Sequence, residues 1–269
     1  MEPSQVSNQC DSLRNVSAPI TVNHLHVGER LLPLSFAVQA GEIVHLVGAN
    51  GSGKSTLLAA MAGVLAHQGQ VRIDHLNVSS ASLGALARKR AYLSQSERPV
   101  FNIGVFQYLS LSVPQTVSIE SPMVQEALAY LTHLMQIEDK LHRSIQQLSG
   151  GEWQRVRLVA MVLQVWRTLN PESTLLLLDE PAASLDVGQE ALLYRLIQVV
   201  AEQGVSVVMA NHDLNRTLRS ADRVLLLDHG VLQAEGKARE VLTPARLSAL
   251  FNTTVRCVEV DGEACLFFD

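Results

Sequence analysis

The stretch IVHLVGANGSGKSTLL, residues 43–58, decides the fold. IVHLV, at 43–47, is a short apolar run bounded by Gly41 and Gly48. Such a run between glycines reads as a strand buried on both faces. GANGSGKS follows at 48–55, and Leu57, Leu58 and Met61 then carry an apolar helix toward Leu65. Strand, glycine-rich turn and helix are the context in which this spacing is a phosphate cradle rather than a chance match. Gly48, Gly51 and Gly53 let backbone N–H groups wrap phosphate oxygens, and Ala49, Asn50, Ser52 and Thr56 complete the loop and its first helical turn. Lys54 brings a cation to the β- and γ-oxygens, and the Ser55 hydroxyl can ligate Mg²⁺.

Outward from this loop the same texture repeats. LLLL (175–178) runs straight into Asp179 and Glu180, and VSVVM (205–209) and RVLLL (223–227) each follow a helical pattern. Apolar strands alternating with helices predict an α/β core with a mostly parallel sheet. Residues 20–38 alternate in short β-like pieces, and a short strand is expected over 70–74. From about 82 to 141 the pattern turns helical, broken by Pro114 and Pro122, and 170–174 reads as a polar loop. The tail VRCVEVDGEACLFF alternates around Asp261 and Gly262, a hairpin pattern.

The acidic strand end supplies the chemistry that a phosphate cradle needs. Asp179 is placed to hold Mg²⁺ or its water, and Glu180 to act on an attacking water. His212, just beyond 205–209, can reach a γ-phosphate as a neutral imidazole. Gln95, in AYLSQ, ends a short apolar piece before the helical region and can reach Mg²⁺. Alone, a His after a strand or a single Gln says nothing; their order along the chain gives them weight. A second cradle, LSGGEWQR at 148–155, places Ser149, Gly150 and Gly151 before a helix, where N–H groups and dipole favour an anion.

Composition narrows the field. The chain has 269 residues, 47% of them hydrophobic and 17% charged, with a net charge of −5. That describes a globular chain without the basic run a nucleic-acid face carries. Cys10, Cys257 and Cys265 have neither metal-ligand spacing nor an even disulfide framework, so they read as reduced, incidental thiols. Residues 1–18 lack the apolar core of a secretory signal and read as a polar extension. The stretch LVAMVLQVW, at 158–166, is far too short to span a bilayer.

Taken in order, GANGSGKST, AYLSQ, LSGGEWQR, LLLLDEPAASLD and NHD resemble the nucleotide-binding subunit of an ATP-binding-cassette (ABC) transporter. The resemblance covers residues from about 20 to 247. It implies an α/β P-loop NTPase with a mostly parallel core sheet, an antiparallel β subdomain and an inserted helical subdomain. On that reading 1–18 is an extension, 19–250 the ATPase domain with its helical part at about 96–168, and 251–269 a terminal hairpin. Residues 48–56 become the ATP-binding loop, Gln95 the Q-loop glutamine, and Glu180 and His212 the catalytic carboxylate and switch histidine. Ser55, Gln95 and Asp179 are implied to hold Mg²⁺. Ser149, Gly150, Gly151, Glu152 and Asp186 are implied to meet the ATP of a partner subunit, because the helical subdomain keeps them away from their own ATP. Two copies packed head to tail use each patch once and close.

An aromatic residue that stacks on adenine usually precedes the P-loop in such subunits. VNHLHVGERLLPLSF has none at the expected place; ahead of Phe36 only His24 and His26 offer flat rings, and neither is assigned that role. The implied partners are a homodimer of ATPase subunits, a multi-spanning permease dimer and, indirectly, a periplasmic substrate-binding protein, with no nucleic acid. The implied location is the cytoplasmic face of a bacterial inner membrane. Vitamin B12 is the favoured cargo, and iron–siderophore or haem the alternative. Among Phe101, Ile103, Val105, Phe106 and Tyr108, most are expected to pack the helical core and some to line a groove for a permease helix. A soluble cassette ATPase acting on DNA or ribosomes would show a basic face or long coiled-coil insertions. A small-molecule P-loop kinase would leave LSGGEWQR unexplained.

Overall fold

The computed structural model describes residues 18–95, 98–260 and 262–269. The expected N-terminal extension falls almost wholly outside these residues, as do Cys10 and Asp261. The chain begins with three strands, β1 (Ile20–Val27), β2 (Leu31–Val38) and β3 (Ile43–Val47), and then helix α1 (Lys54–Met61). Strands β4 (Gln68–Ile73) and β5 (Leu76–Asn77), helix α2 (Leu83–Lys89) and strand β6 (Arg90–Leu93) follow. Helices α3 (Val105–Ser110), α4 (Pro122–Leu134) and α5 (Gly150–Val165) come next. The second half runs β7 (Leu175–Asp179), α6 (Val187–Glu202), β8 (Ser206–Ala210), α7 (Leu214–Ser220), β9 (Arg223–Asp228) and β10 (Val231–Gly236). It closes with α8 (Ala238–Val241), α9 (Pro244–Phe251), β11 (Val255–Val260) and β12 (Glu263–Phe268).

The strands form a six-stranded sheet in the order β10-β9-β3-β8-β7-β6, a four-stranded antiparallel sheet β2-β1-β4-β5 and the two-stranded pair β11-β12. From β9 to β6 every neighbouring pair is parallel. Each residue of β3, β7 and β8 is buried, which is why these segments read as apolar runs rather than alternating ones. One core lies between the two larger sheets around α1, where Leu57, Leu58 and Met61 meet Val22, Ile73 and Leu177. Another lies across the opposite face, where α3, α4, α5 and α6 pack Leu109, Leu131, Val159 and Ile197 beneath Leu176 and Leu178.

Two local readings are corrected. Helix α1 stops at Met61 rather than continuing to Leu65, because Gly63 takes φ +72, a left-handed turn that ends helices. Strand β4 starts at Gln68, two residues before the expected strand. The polar loop at 170–174 is present as read, and within it Asn170 and Ser173 are buried. Asn170 Nδ2 donates to the carbonyls of Arg88 and Gln164 at 2.8 Å, and Ser173 Oγ to those of Val165 and Asn170 at 2.8 Å. These bonds satisfy carbonyls that the end of α5 and its neighbours would otherwise bury unpaired.

His45 is the polar exception inside β3. It is fully buried, and burial pushes its pKa from 6.5 down to about 3. Between those values the unfolded chain takes up a proton that the folded chain refuses, so stability falls as pH drops from 6.5 toward 3, by up to ~1.4 kcal/mol per pH unit. Urea unfolding from pH 7 to 4.5 should therefore show the wild type losing more stability than His45→Gln. Parallel losses would remove His45 as the source.

Candidate functional site: a nucleotide cavity at the carboxyl edge of the sheet

β3, β8, β7 and β6 are consecutive in the main sheet and parallel. Their carboxyl ends therefore lie side by side, the position at which open α/β sheets bind ligands. β3 leads into Gly48. A Cβ at that position would lie 2.2 Å from the Leu227 carbonyl oxygen and 2.5 Å from Ser52 Oγ, so only glycine fits. Gly53, at φ +103, turns the chain directly into α1. The loop is pinned from outside as well, since the Gly230 N–H donates to the Ser52 carbonyl at 3.1 Å. Lys54 is buried, and its Nζ donates to the carbonyls of Gly48 at 2.8 Å and Ala49 at 3.0 Å. Burial lowers the Lys54 pKa, while Glu180 and Asp179 act to raise it.

β7 ends in Asp179, which is buried and accepts a hydrogen bond from Ser55 Oγ at 3.0 Å. Burial raises the pKa of this carboxyl, and the Ser55 hydrogen bond opposes the shift. Glu180 leaves the strand at φ +49. A non-glycine residue seldom takes that conformation, and such strain concentrates at functional sites. Its Oε1 meets Nε2 of His212, two residues past the end of β8. Gln95, two residues past the end of β6, is exposed.

One cavity of about 730 Å³ gathers Asn50, Gly51, Ser52, Gly53, Lys54, Ser55, Thr56, Gln95 and Glu180 in its lining. Gly48, Ala49, Asp179 and His212 are not among the lining residues; Asp179 reaches the cavity through Ser55 and His212 through Glu180. Its remaining lining, Glu29, Arg30 and His229, was not foreseen in the sequence. Glu29 and Arg30 come from the β1–β2 turn and His229 from the β9–β10 turn. The His229–Gly230 pair has positive φ at both residues, 45° and 76°, the geometry of a tight hairpin turn. Nothing in the sequence around Asp228, His229 and Gly230 signals that this turn reaches the cavity. His24 and His26 lie within β1 and are not among the lining residues.

The second glycine-rich turn has a different setting. Ser149 caps α5: its Oγ accepts the Glu152 N–H at 3.2 Å, and the Glu152 carboxylate accepts the Ser149 N–H at 2.8 Å. This is a reciprocal capping box. Lys140 also approaches Glu152 at 3.2 Å. The Ser149 backbone hydrogen bond, aided by Lys140, holds the Glu152 carboxyl below its usual range. Glu152 thus closes the turn that carries Ser149 and Gly150, and both of those are exposed. A Cβ on Gly151 would lie 2.4 Å from Gln189 Oε1 and 3.1 Å from the Ser184 carbonyl oxygen, so the turn abuts the start of α6. Asp186 caps that helix, accepting the Gln189 N–H at 2.9 Å. Beneath the turn, buried Trp153 packs on Tyr108 with ring centroids 4.9 Å apart.

α5 also holds the strand ends. Gln154 Nε2 donates to the Pro181 carbonyl at 2.8 Å, next to Glu180. The Arg157 guanidinium donates to the Ser94 carbonyl, next to Gln95, and to Gln154 Oε1. Arg98 donates to the Ser149 carbonyl at 2.8 Å. One helix therefore touches the backbone on either side of the cavity.

Comparison with known proteins follows the same lines. The profile of the ABC transporter family matches residues 31–183. The vitamin B12 import ATP-binding protein BtuD of Vibrio cholerae serotype O1 is 57% identical over 250 residues, covering 93% of this chain and 100% of the relative. The protein of the same name from Photobacterium profundum is 50% identical, covering 93% of this chain and 99% of its own length. Among solved structures, a metal-chelate type ABC transporter in an inward-facing conformation matches with a TM-score of 0.74 at 21% identity, over 93% of this chain and 96% of that one. A dimeric ATP-binding cassette in a post-hydrolysis state, bound to ADP and Pi, matches with a TM-score of 0.69 at 22% identity, over 82% of this chain and 99% of that one. At such identities the structures speak for the fold alone. Relatives half or more identical over nearly the whole chain speak for more: this chain belongs to the ABC transporter family of ATP-binding proteins.

Proposed function

We propose that this chain is the energy-coupling ATPase of a bacterial vitamin B12 importer, acting as a homodimer under a separate permease dimer at the cytoplasmic face of the inner membrane. The separation of the two glycine-rich turns carries the reading. Ser149 and Gly150 are exposed, yet neither lines the cavity that holds Lys54. A cradle at a capped helix N-terminus with no ligand of its own suits a γ-phosphate presented by another copy. Gly151 and Asp186 belong to the same face, and Glu152 supports it through the cap. Two copies in head-to-tail register would each complete the other's site.

Within one site, the 48–56 loop grips the phosphates and Lys54 exchanges its carbonyl partners for phosphate oxygens. Ser55 and Asp179 form a hard-oxygen pair 3.0 Å apart, which suits Mg²⁺, and Gln95 is the third candidate ligand. When bound, Mg²⁺ neutralises charge on the β- and γ-oxygens. Glu180 orients the attacking water and takes its proton. His212, already in contact with Glu180, holds that carboxylate and touches the γ-phosphate. Cleavage then removes the group that bridges the two copies, so hydrolysis opens the dimer.

Among the described residues no helix is long and apolar enough to cross a membrane, which supports a role for partner chains in forming the channel. Val105 is fully buried and Ile103 and Tyr108 pack against the helical core, whereas Phe101 and Phe106 are exposed. Those two phenylalanines form the candidate docking face for a permease helix. Vitamin B12 comes from the names of the relatives, and a periplasmic substrate-binding protein would deliver it. No residue of the ATPase itself is expected to touch the cargo. Transport by the reconstituted complex, tested with cobalamin against iron–siderophores and haem, identifies the cargo.

Three substitutions probe the cycle. Glu180→Gln should slow single-turnover hydrolysis by roughly 10²-fold or more, the range of a lost general base, while ATP binding persists and a closed dimer accumulates on size exclusion. Unchanged turnover would take Glu180 out of the chemistry. Lys54→Ala should weaken ATP binding in equilibrium titration, since the fixed cation on the phosphates is gone. Ser149→Arg should abolish turnover while leaving monomer ATP affinity within about twofold, because a composite site loses only its partner half. Loss of monomer binding would refute the trans arrangement.

A further inference from the structure

Directly before His212, Asn211 makes more side-chain contacts than a strand-end residue needs. Its side chain is buried, and its Nδ2 lies 2.9 Å from Tyr194 Oη on α6 and 3.1 Å from Thr217 Oγ1 on α7. Thr217 Oγ1 donates to the Asp213 carbonyl at 2.9 Å. His45 Nδ1 lies 3.1 Å from Thr217 Oγ1 and 3.4 Å from Asn211 Nδ2, and His45 Nε2 is buried without a partner among the described residues.

The cluster fixes the chain on both sides of His212. The Asn211 N–H donates to the Leu46 carbonyl at 3.1 Å, and Asn211 Oδ1 accepts the Asp213 N–H at 3.2 Å. Asp213 in turn caps α7, accepting the Arg216 N–H at 2.8 Å. With both neighbours held, His212 keeps only its own side-chain torsions, and its ring is set toward Glu180. Three elements meet at this point: β3, which feeds the P-loop; α7; and α6, whose first turn carries Asp186. Arg216 lies 5.6 Å over the Tyr194 ring and 3.8 Å from Glu190, which ties α6 to α7 a second time.

We infer that Asn211 is a positioning residue, and that its hydrogen bonds to Tyr194 and Thr217 hold the His212 loop in the register needed for hydrolysis, so that α6 and His212 move as one. The inference rests on the assignment of His212 and Glu180 to hydrolysis. Its physical content is that removing the Tyr194 hydroxyl, which touches no nucleotide-lining residue, acts only through His212.

A double-mutant cycle tests this in the full chain. Single-turnover release of phosphate would be measured in the wild type, Tyr194→Phe, His212→Ala and the double variant, with ATP affinity measured for each. Tyr194→Phe alone should slow release about tenfold, the scale of one buried hydrogen bond, with ATP affinity within about twofold. In the His212→Ala background the same change should have almost no effect. An equal slowing in both backgrounds overturns the inference, because Tyr194 would then act by another route. If His212→Ala itself leaves release unchanged, the assignment of His212 falls, and this inference falls with it. A second readout covers backgrounds too slow to measure: the His212 imidazole resonance in protein carrying ¹³C-labelled histidine. It should shift in Tyr194→Phe and Thr217→Val and return in Thr217→Ser, which keeps the hydroxyl. A resonance unmoved in the first two overturns the inference as well.

Discussion

The parallel alignment of β3, β8, β7 and β6 is the constraint on which the rest of this structure depends. Neighbouring strands lie about 4.8 Å apart, so four consecutive ends define an edge of about 14 Å, long enough to run the length of a triphosphate. The register keeps them level: Leu46 pairs with Ala210, Ala210 with Asp179, and Leu178 with Leu93. Gly48, His212, Glu180 and Gln95 then emerge within one or two residues of those pairs. No long-range contact among the four is needed to gather them. A slip of one residue in any strand would turn its buried set outward, so the apolar cores on either side of the sheet protect the geometry of the cavity.

The two glycine-rich turns resemble each other in sequence, yet they solve different problems. The upstream loop is pressed against the protein: Gly48 has no space for a Cβ, and Lys54 is buried among carbonyls. The downstream turn is held by the Ser149–Glu152 cap, by Lys140, by Arg98 and by Trp153 below, and Gly151 abuts the start of α6. Ser149 and Gly150 nevertheless stay exposed. Glu152 illustrates how a motif residue can matter without facing a ligand, since a carboxylate that closes the first turn of α5 also adds negative charge at the helix N-terminus. That charge partly offsets the pull of the dipole on an incoming anion.

How much of this was legible in the sequence depends on how local each signal is. β3 and β7 announce themselves because burial on both faces leaves an uninterrupted apolar run, and GANGSGKS is legible because its glycines answer a local backbone demand. Glu29, Arg30 and His229 were missed for the opposite reason. They sit on two turns far apart in the chain, and only the packing of Gly230 against Ser52 and Leu32 brings them to the cavity. The burial of Asn170 and Ser173 was not legible either, because their side chains pair with carbonyls at the end of α5. His45 was read simply as one letter of an apolar strand. Its Nδ1 is partnered by Thr217, 172 residues away, and nothing near His45 in the sequence signals that partner.

These non-local residues share a property. Each couples elements that the local motifs leave independent: Arg157 joins α5 to the backbone before Gln95, Gln154 joins it to the backbone after Glu180, and Asn211 joins β8 to α6 and α7. On the proposed reading, the P-loop, acidic strand end and histidine of one copy carry the cleavage of a phosphate anhydride, completed by the Ser149 turn of the other. Linking that cleavage to movement of a second chain needs rigid connections from the cavity to an outer face. α5 and α6 both begin at the face carrying Ser149 and Asp186; α5 reaches the cavity edge through Gln154 and Arg157, and α6 through Tyr194, which meets the Asn211 amide. Backbone hydrogen bonds satisfied within each helix keep these segments stiff. The Gln154 and Asn211 amides are therefore where a small shift is either passed on or absorbed. Buried, multiply bonded amides are poor absorbers, since any rotation breaks bonds that water cannot replace.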